Sequence, residues 1–269
     1  MCGIAGFSLG ARADLDPTAL GRMLLAGIAE RGADASGVAW AVEGHGDARI
    51  EKTIGGATAL IPRLSLPPRV TSALLHVRDF TKGEPHIEAN NHPIRHGHVV
   101  GIHNGRILND EELLAEHGLR RARPEATVDS EALFALLDLR ADDPGDALGR
   151  VRGPVAASWL DRRRPGVLFL ARGRARPLVV AFAARLDVAV FASTDGALEL
   201  VRRAGVPLGE AIAVREGSCV ELAAGVERHR FAFTPQPFVE RRTTRPAPSP
   251  LERLRALRLV ADPGGWAGA

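Results

Sequence analysis

The stretch Met1-Cys2-Gly3-Ile4-Ala5-Gly6-Phe7-Ser8-Leu9 puts one of only two cysteines in 269 residues directly behind the first methionine. Beyond the cysteine, apolar residues between glycines predict a short buried strand. A side chain as small as that of cysteine permits removal of Met1, which leaves Cys2 with a free α-amino group. Such an amine has a reference pKa of about 7.7 to 8, against about 8.5 for the thiol, so near neutrality it can take the proton from its own side chain. Nucleophile and base then arrive on one residue, already positioned, and no separate histidine is needed. The arrangement is strictly positional: with Met1 retained, the amine is an amide and the base is lost.

Attack on an amide carbonyl also requires an oxyanion site, a cation for a substrate carboxylate and an acid for a substrate ammonium. Residues 99–107, VVGIHNGRI, run as a strand into Asn104 and Gly105, whose N–H groups suit an oxyanion, although Asn-Gly is equally the favoured hairpin dipeptide. In residues 74–85, LLHVRDFTKGEP, Arg78 ends an apolar strand and opens a loop with Thr81 and Gly83. Its planar fork suits a carboxylate, and a surface position is the plainer alternative. Asp129, in ATVDSEAL, is placed either to receive an ammonium or simply to cap the helix predicted over 129–139.

Outward from these motifs, Asp16 and Pro17 predict a helix start, with Leu20, Met23, Leu24 and Ile28 on one face and Gly32 beyond its end. Strands are expected at 36–43, 72–78 and 98–104, and seven more between about 155 and 233, interrupted by one helix at 195–205. Many strands with a few grouped helices suggest packed sheets flanked by helices, an α+β class. From 234 the chain turns proline-rich and polar, then offers a basic helix over 251–260 opened by Ser249, Pro250 and Glu252. We therefore divide it into a domain at 2–233 and a tail at 234–269, the tail being either solvated or a docking segment.

Hydrophobic residues make up 45% of the chain, as in an ordinary core-former, and its net charge is +3. From Glu240 onward six arginines face three acids, which accounts for that whole surplus and removes the case for a nucleic-acid partner. No apolar run reaches the roughly 18 residues of a membrane span and no secretory signal opens the chain, so a cytoplasmic location is expected. Cys219 reads as a small buried hydrophobe. Histidines cluster at 86–103, yet no cysteine or carboxylate pattern completes a metal site, so neither metal nor other cofactor is expected.

Taken in order, MCGIAGF (1–7), ERGADASG (30–37), HVRDFTKGEP (76–85), NNHP (90–93), HNGRI (103–107) and TVDSEA (127–132) closely resemble the class II glutamine amidotransferase domain. This is the N-terminal-nucleophile glutaminase unit of glucosamine-phosphate synthase, asparagine synthetase and phosphoribosylpyrophosphate amidotransferase. The likeness continues more weakly to about residue 222. It implies a four-layer αββα sandwich with Cys2 as nucleophile and Asn104 and Gly105 as oxyanion hole. By the same resemblance Arg78 holds the glutamine α-carboxylate, Asp129 its α-ammonium, Thr81 lines the substrate loop, and Arg31 and Gly32 support the cysteine.

Where synthase-type members commonly read Arg-Trp-Ala-Thr-His-Gly, this chain has Asp79 for the tryptophan and Lys82 for the histidine. The resemblance implies a glutaminase subunit that releases ammonia to a synthase on a separate chain. A hydrolase of some other γ-glutamyl amide is the second expectation. A non-catalytic regulatory or binding descendant is the third, though a binding module has no need of an unblocked terminal thiol beside an oxyanion site.

Overall fold

The computed structural model describes residues 2–239 and 250–261. Met1, Ser249 with the rest of 240–249, and 262–269 lie outside the described residues. β1 (Gly3–Leu9) is buried along its whole length. It pairs antiparallel with β10 (Val188–Ala192) on one side and with β4 (Val70–Arg78) on the other. The sheet is completed beyond β10 by β9 (Val179–Ala183) and β11 (Ile212–Ala213), and beyond β4 by β2 (Ala35–Val42) and β3 (Arg49–Ile54). A second antiparallel sheet runs β13 (Val226–Ala232), β12 (Ser218–Ala223), β8 (Val167–Arg172), β7 (Val155–Asp161), β6 (Val99–Gly105), β5 (Ile94–His96).

The two-residue period of the strands sorts side chains into layers. Ile4, Leu74 and Phe191 of the first sheet meet Ile102, Leu160, Leu170 and Val220 of the second. On the outer face of the first sheet, Ala5, Phe7, Leu75 and Val190 pack against α1 (Pro17–Ile28) and α6 (Asp195–Arg203). On the outer face of the second, Val99, Trp159 and Phe169 pack beneath α4 (Ser130–Leu139) and α5 (Pro144–Arg150). Each fully buried leucine or phenylalanine contributes about 1.5–3 kcal/mol, and both faces of β1 share in it. The architecture is the αββα sandwich that the resemblance implies.

Local chemistry explains the element ends. Asp16 caps α1, accepting from Thr18 N at 2.8 Å, and Pro17 takes the first helical position. The helix stops at Ile28 and tightens into a 3-10 turn, Ala29–Arg31, before Gly32. The strand expected over 210–216 shrinks to Ile212–Ala213, because the chain leaves the first sheet there to start β12 in the second. After 250 the chain forms α7 (Pro250–Val260), which lies on α1, on the short helix α2 (Ala57–Leu60) and on the 3-10 turn, with Ala256 fully buried. Arg253 pairs with Glu30 at 2.9 Å, and the Glu252 carboxylate accepts from Thr58 N and Oγ1 at 3.2 and 2.7 Å. The basic segment thus docks on its own domain. Among the described residues, no helix is long and apolar enough to cross a membrane.

Candidate active site

The register Gly3↔Val77 and Ala35↔Arg78 brings the start of β1, the end of β4 and the start of β2 to one end of the first sheet. Cys2 stands there half-buried, its Sγ 3.5 Å from the Asp79 carbonyl. Burial pushes its thiol above the ordinary value, while the positive charges of the chain terminus and Arg78 pull the other way. A thiol so placed is protonated near neutrality and needs a base. Arg31 Nε donates to the Cys2 carbonyl at 2.9 Å and so fixes the residue's backbone. Gly32 is needed for close approach: a Cβ there would run into the Arg78 carbonyl and the Asp79 nitrogen.

From the second sheet, β6 is tied to β4 by His76 Nε2, 3.1 Å from the His103 carbonyl, a contact in which the neutral ring donates. The next residue, Asn104, is 1% exposed, and its Nδ2 has no hydrogen-bond partner among the described residues. A buried donor left unpaired costs about 1–3 kcal/mol. Gly105 has φ +149°, and a side chain there would overlap the Pro154 carbonyl, so this corner admits glycine alone.

Asp129 sits at the cap position of α4 but makes no capping bond. Its carboxylate instead reaches back to Ile107 N at 2.6 Å, just past Asn104 and Gly105, which corrects the simple-cap alternative. Burial, reinforced by the nearby charge of Asp110, raises its pKa to about 6 against the pull of the Ile107 N–H and Lys82. Arg78 is 2% exposed and not a surface residue. Its terminal nitrogens donate to Asn91 Oδ1 at 2.6 Å, Lys82 O at 2.7 Å and Gly83 O at 2.6 Å. The arginine therefore organises the loop it opens. Thr81 is exposed in that loop and makes no side-chain hydrogen bond among the described residues.

The fold thus gathers Cys2, Arg31, Gly32, Arg78, Asn104, Gly105 and Asp129 at one end of the sandwich and leaves Thr81 at its rim. Residues whose roles the motifs did not disclose support them. Asp34 accepts from Phe80 N at 2.9 Å, and Asn90 Oδ1 accepts from Thr127 N and Val128 N at 2.7 and 3.0 Å. Asn91 holds Arg78. The only signal for them was their place inside ERGADASG and NNHP. Among the described residues no group of three or more His, Cys, Asp or Glu is disposed to hold a metal. A separate cavity of about 450 Å³ at the seam between β3 and β5, lined by Lys52, Glu88, Arg95 and Glu131, contains none of the gathered residues.

A family profile described as "Glutamine amidotransferase domain" matches residues 82–200. The glutamine–fructose-6-phosphate aminotransferase [isomerizing] of Shigella flexneri is 31% identical over 191 residues, 67% of this chain and 30% of that protein. The protein of the same name from Caulobacter vibrioides is 35% identical over 158 residues, 56% of this chain and 25% of its own length. The chain thus spans about a third or less of these curated relatives. Among solved structures, glutamine phosphoribosylpyrophosphate amidotransferase from B. subtilis superposes with a TM-score of 0.68 at 19% identity, over 87% of this chain and 49% of that one. A glutamine aminotransferase class-II domain protein from Silicibacter pomeroyi gives 0.56 at 15% identity, over 88% of this chain and all of that one.

Proposed function

We propose that this chain, which carries a glutamine amidotransferase domain of the class II, N-terminal-nucleophile type, hydrolyses the side-chain amide of L-glutamine through Cys2. With Met1 removed, the α-amine of Cys2 accepts the thiol proton and Sγ attacks the amide carbonyl. The carbonyl oxygen takes up the negative charge, and Asn104 Nδ2 with the Gly105 N–H stabilises it. The C–N bond then breaks as the protonated amine returns its proton to the departing nitrogen. Ammonia leaves and a γ-glutamyl thioester remains, which water, activated by the same amine, hydrolyses to glutamate and free Cys2.

The observation that carries this reading is the Asn104 amide nitrogen, buried and without a partner among the described residues, one residue past the point where β6 is tied to β4. A donor held unpaired in a core suits charge that appears only during reaction. Asp129 would receive the α-ammonium. The α-carboxylate would pair with Arg78, whose guanidinium also holds the loop carbonyls of Lys82 and Gly83. Arg31 and Gly32 support Cys2, and Thr81 lines the rim.

We assign use of the released ammonia to a synthase acting in trans. Replacing Cys2 by alanine tests the chemistry: equimolar ammonia and glutamate from wild type, none from the variant, are the expected results. Retained turnover in Cys2→Ala contradicts the assignment. Asp79 and Lys82 in the loop favour one second reading, a different γ-glutamyl amide as substrate. A panel of γ-glutamyl amides ranked by kcat/KM against glutamine separates the two.

A further inference from the structure

We propose that Lys82 is a positioning residue for the amide substrate, its ammonium latching the 79–83 loop to the segment that presents Asp129. The inference rests on the glutaminase reading above and names a residue which that reading does not use.

Lys82 is one of only two lysines in the chain. Its backbone carbonyl is held by Arg78, so residue 82 belongs to the floor of the carboxylate site. Its ammonium points the other way, onto Asp110, and onto Glu111 at 3.1 Å, the first residues of α3 (Asp110–Glu116). The same two carboxylates take Arg121 at 3.2 and 2.7 Å. Arg121 in turn donates through its other terminal nitrogen to the Val128 carbonyl at 2.7 Å, directly before Asp129. One chain of charge-assisted contacts therefore runs from the arginine that would hold the substrate carboxylate to the acid that would hold its ammonium.

Lys82 also acts on Asp129 across space. The groups that face Asp129 are Asp110 on α3, which disfavours its ionised form, Lys82 in the loop, which favours it, Arg78 on β4, and the Ile107 N–H. Only the ionised carboxylate binds an ammonium, so Lys82 widens the pH range in which the site works. A histidine at this position would carry charge only below about pH 6.5, whereas lysine carries it throughout the neutral range. With 31% of its side chain exposed, the latch is open to screening by salt.

The test is steady-state glutamine hydrolysis from pH 5.5 to 8 in wild type, Lys82→Gln, Lys82→Arg and Asp110→Asn. Lys82→Gln is expected to raise KM about tenfold with kcat within about threefold, the loss of one charge-assisted contact. It also moves the acid limb of kcat/KM to higher pH, and Lys82→Arg restores both. Asp110→Asn, which removes the opposing charge, moves the same limb to lower pH. Added salt raises the wild-type KM and leaves that of Lys82→Gln nearly constant.

An unmoved KM and acid limb in Lys82→Gln, no rescue by Lys82→Arg, or a limb that moves in the same direction in both charge variants overturns the proposal. Labelling of wild-type Cys2 by a glutamine-analogue diazoketone separates two failures. A labelled, active wild type with unchanged variants refutes only the role of Lys82, whereas an unlabelled, inactive one refutes the glutaminase reading and this inference together.

Discussion

Asn104 is where residue chemistry and function meet most directly, because its unpaired amide weakens the fold while suiting the reaction. Asn104→Ala is therefore expected to lower kcat by about a hundredfold to a thousandfold. Its thermal midpoint should stay at or slightly above that of wild type, since a buried orphan donor is removed. Activity and melting measured on one preparation check this. Asp129 makes a second prediction: with its pKa raised to about 6, the KM for glutamine should climb as pH falls through that value, while kcat for bound substrate changes little. Cys2, Asn104 and Gly105 were legible because their chemistry depends on position in the chain and on an Asn-Gly turn after a strand. Asp129 was legible only as two alternatives. Cap signals are local, and its actual partner, Ile107 N, lies 22 residues away.

At the scale of elements, β4 and β6 are joined through two buried histidines, His76 and His103, of which only His103 belongs to the cluster at 86–103. His76 stacks on His92 at 4.2 Å, and His103 Nδ1 lies 2.9 Å from Ser130 Oγ. Burial lowers the pKa of His76 to about 3, of His103 to about 4, and of His92 well below its usual value. All three are neutral in the folded chain and take up protons near pH 6.5 on unfolding, so their contribution is complete above that pH. It declines as pH falls toward 4, at up to about 1.4 kcal/mol per pH unit for each histidine. Asp129, raised above its unfolded value, works the opposite way between about 6 and 3.8 and offsets part of one histidine. Denaturant unfolding between pH 7 and 4.5 should show that net loss, and His92→Gln should flatten it. Strands with a continuous apolar or alternating pattern were readable. β3, an edge strand of sequence RIEKTI, was not, because its residues are mostly exposed or half-exposed and only backbone pairing with the preceding β2 makes it a strand.

On the scale of the whole molecule, the last described helix behaves as part of the sandwich. α7 covers α1 and the 3-10 turn that carries Arg31, and Arg31 in turn holds the Cys2 carbonyl. Removing everything after residue 249 is expected to cost about 2 kcal/mol from lost burial around Ala256, a fall of several degrees in midpoint. Cys2 should then be alkylated more slowly by the glutamine analogue, as its backbone anchor loosens, and calorimetry with timed labelling checks both. Composition marked residues 251–260 as basic and helical but left their resting place open, since the groove they fill is assembled from residues 17–31 and 57–60, far away in sequence. The central claim is that Cys2 becomes the terminal residue and attacks a glutamine-shaped amide. Intact mass of the purified chain, before and after the diazoketone analogue of glutamine, tests it most directly. Loss of Met1 followed by a single adduct mapping to Cys2 is the predicted result; a retained Met1, or an adduct that forms elsewhere or not at all, contradicts it.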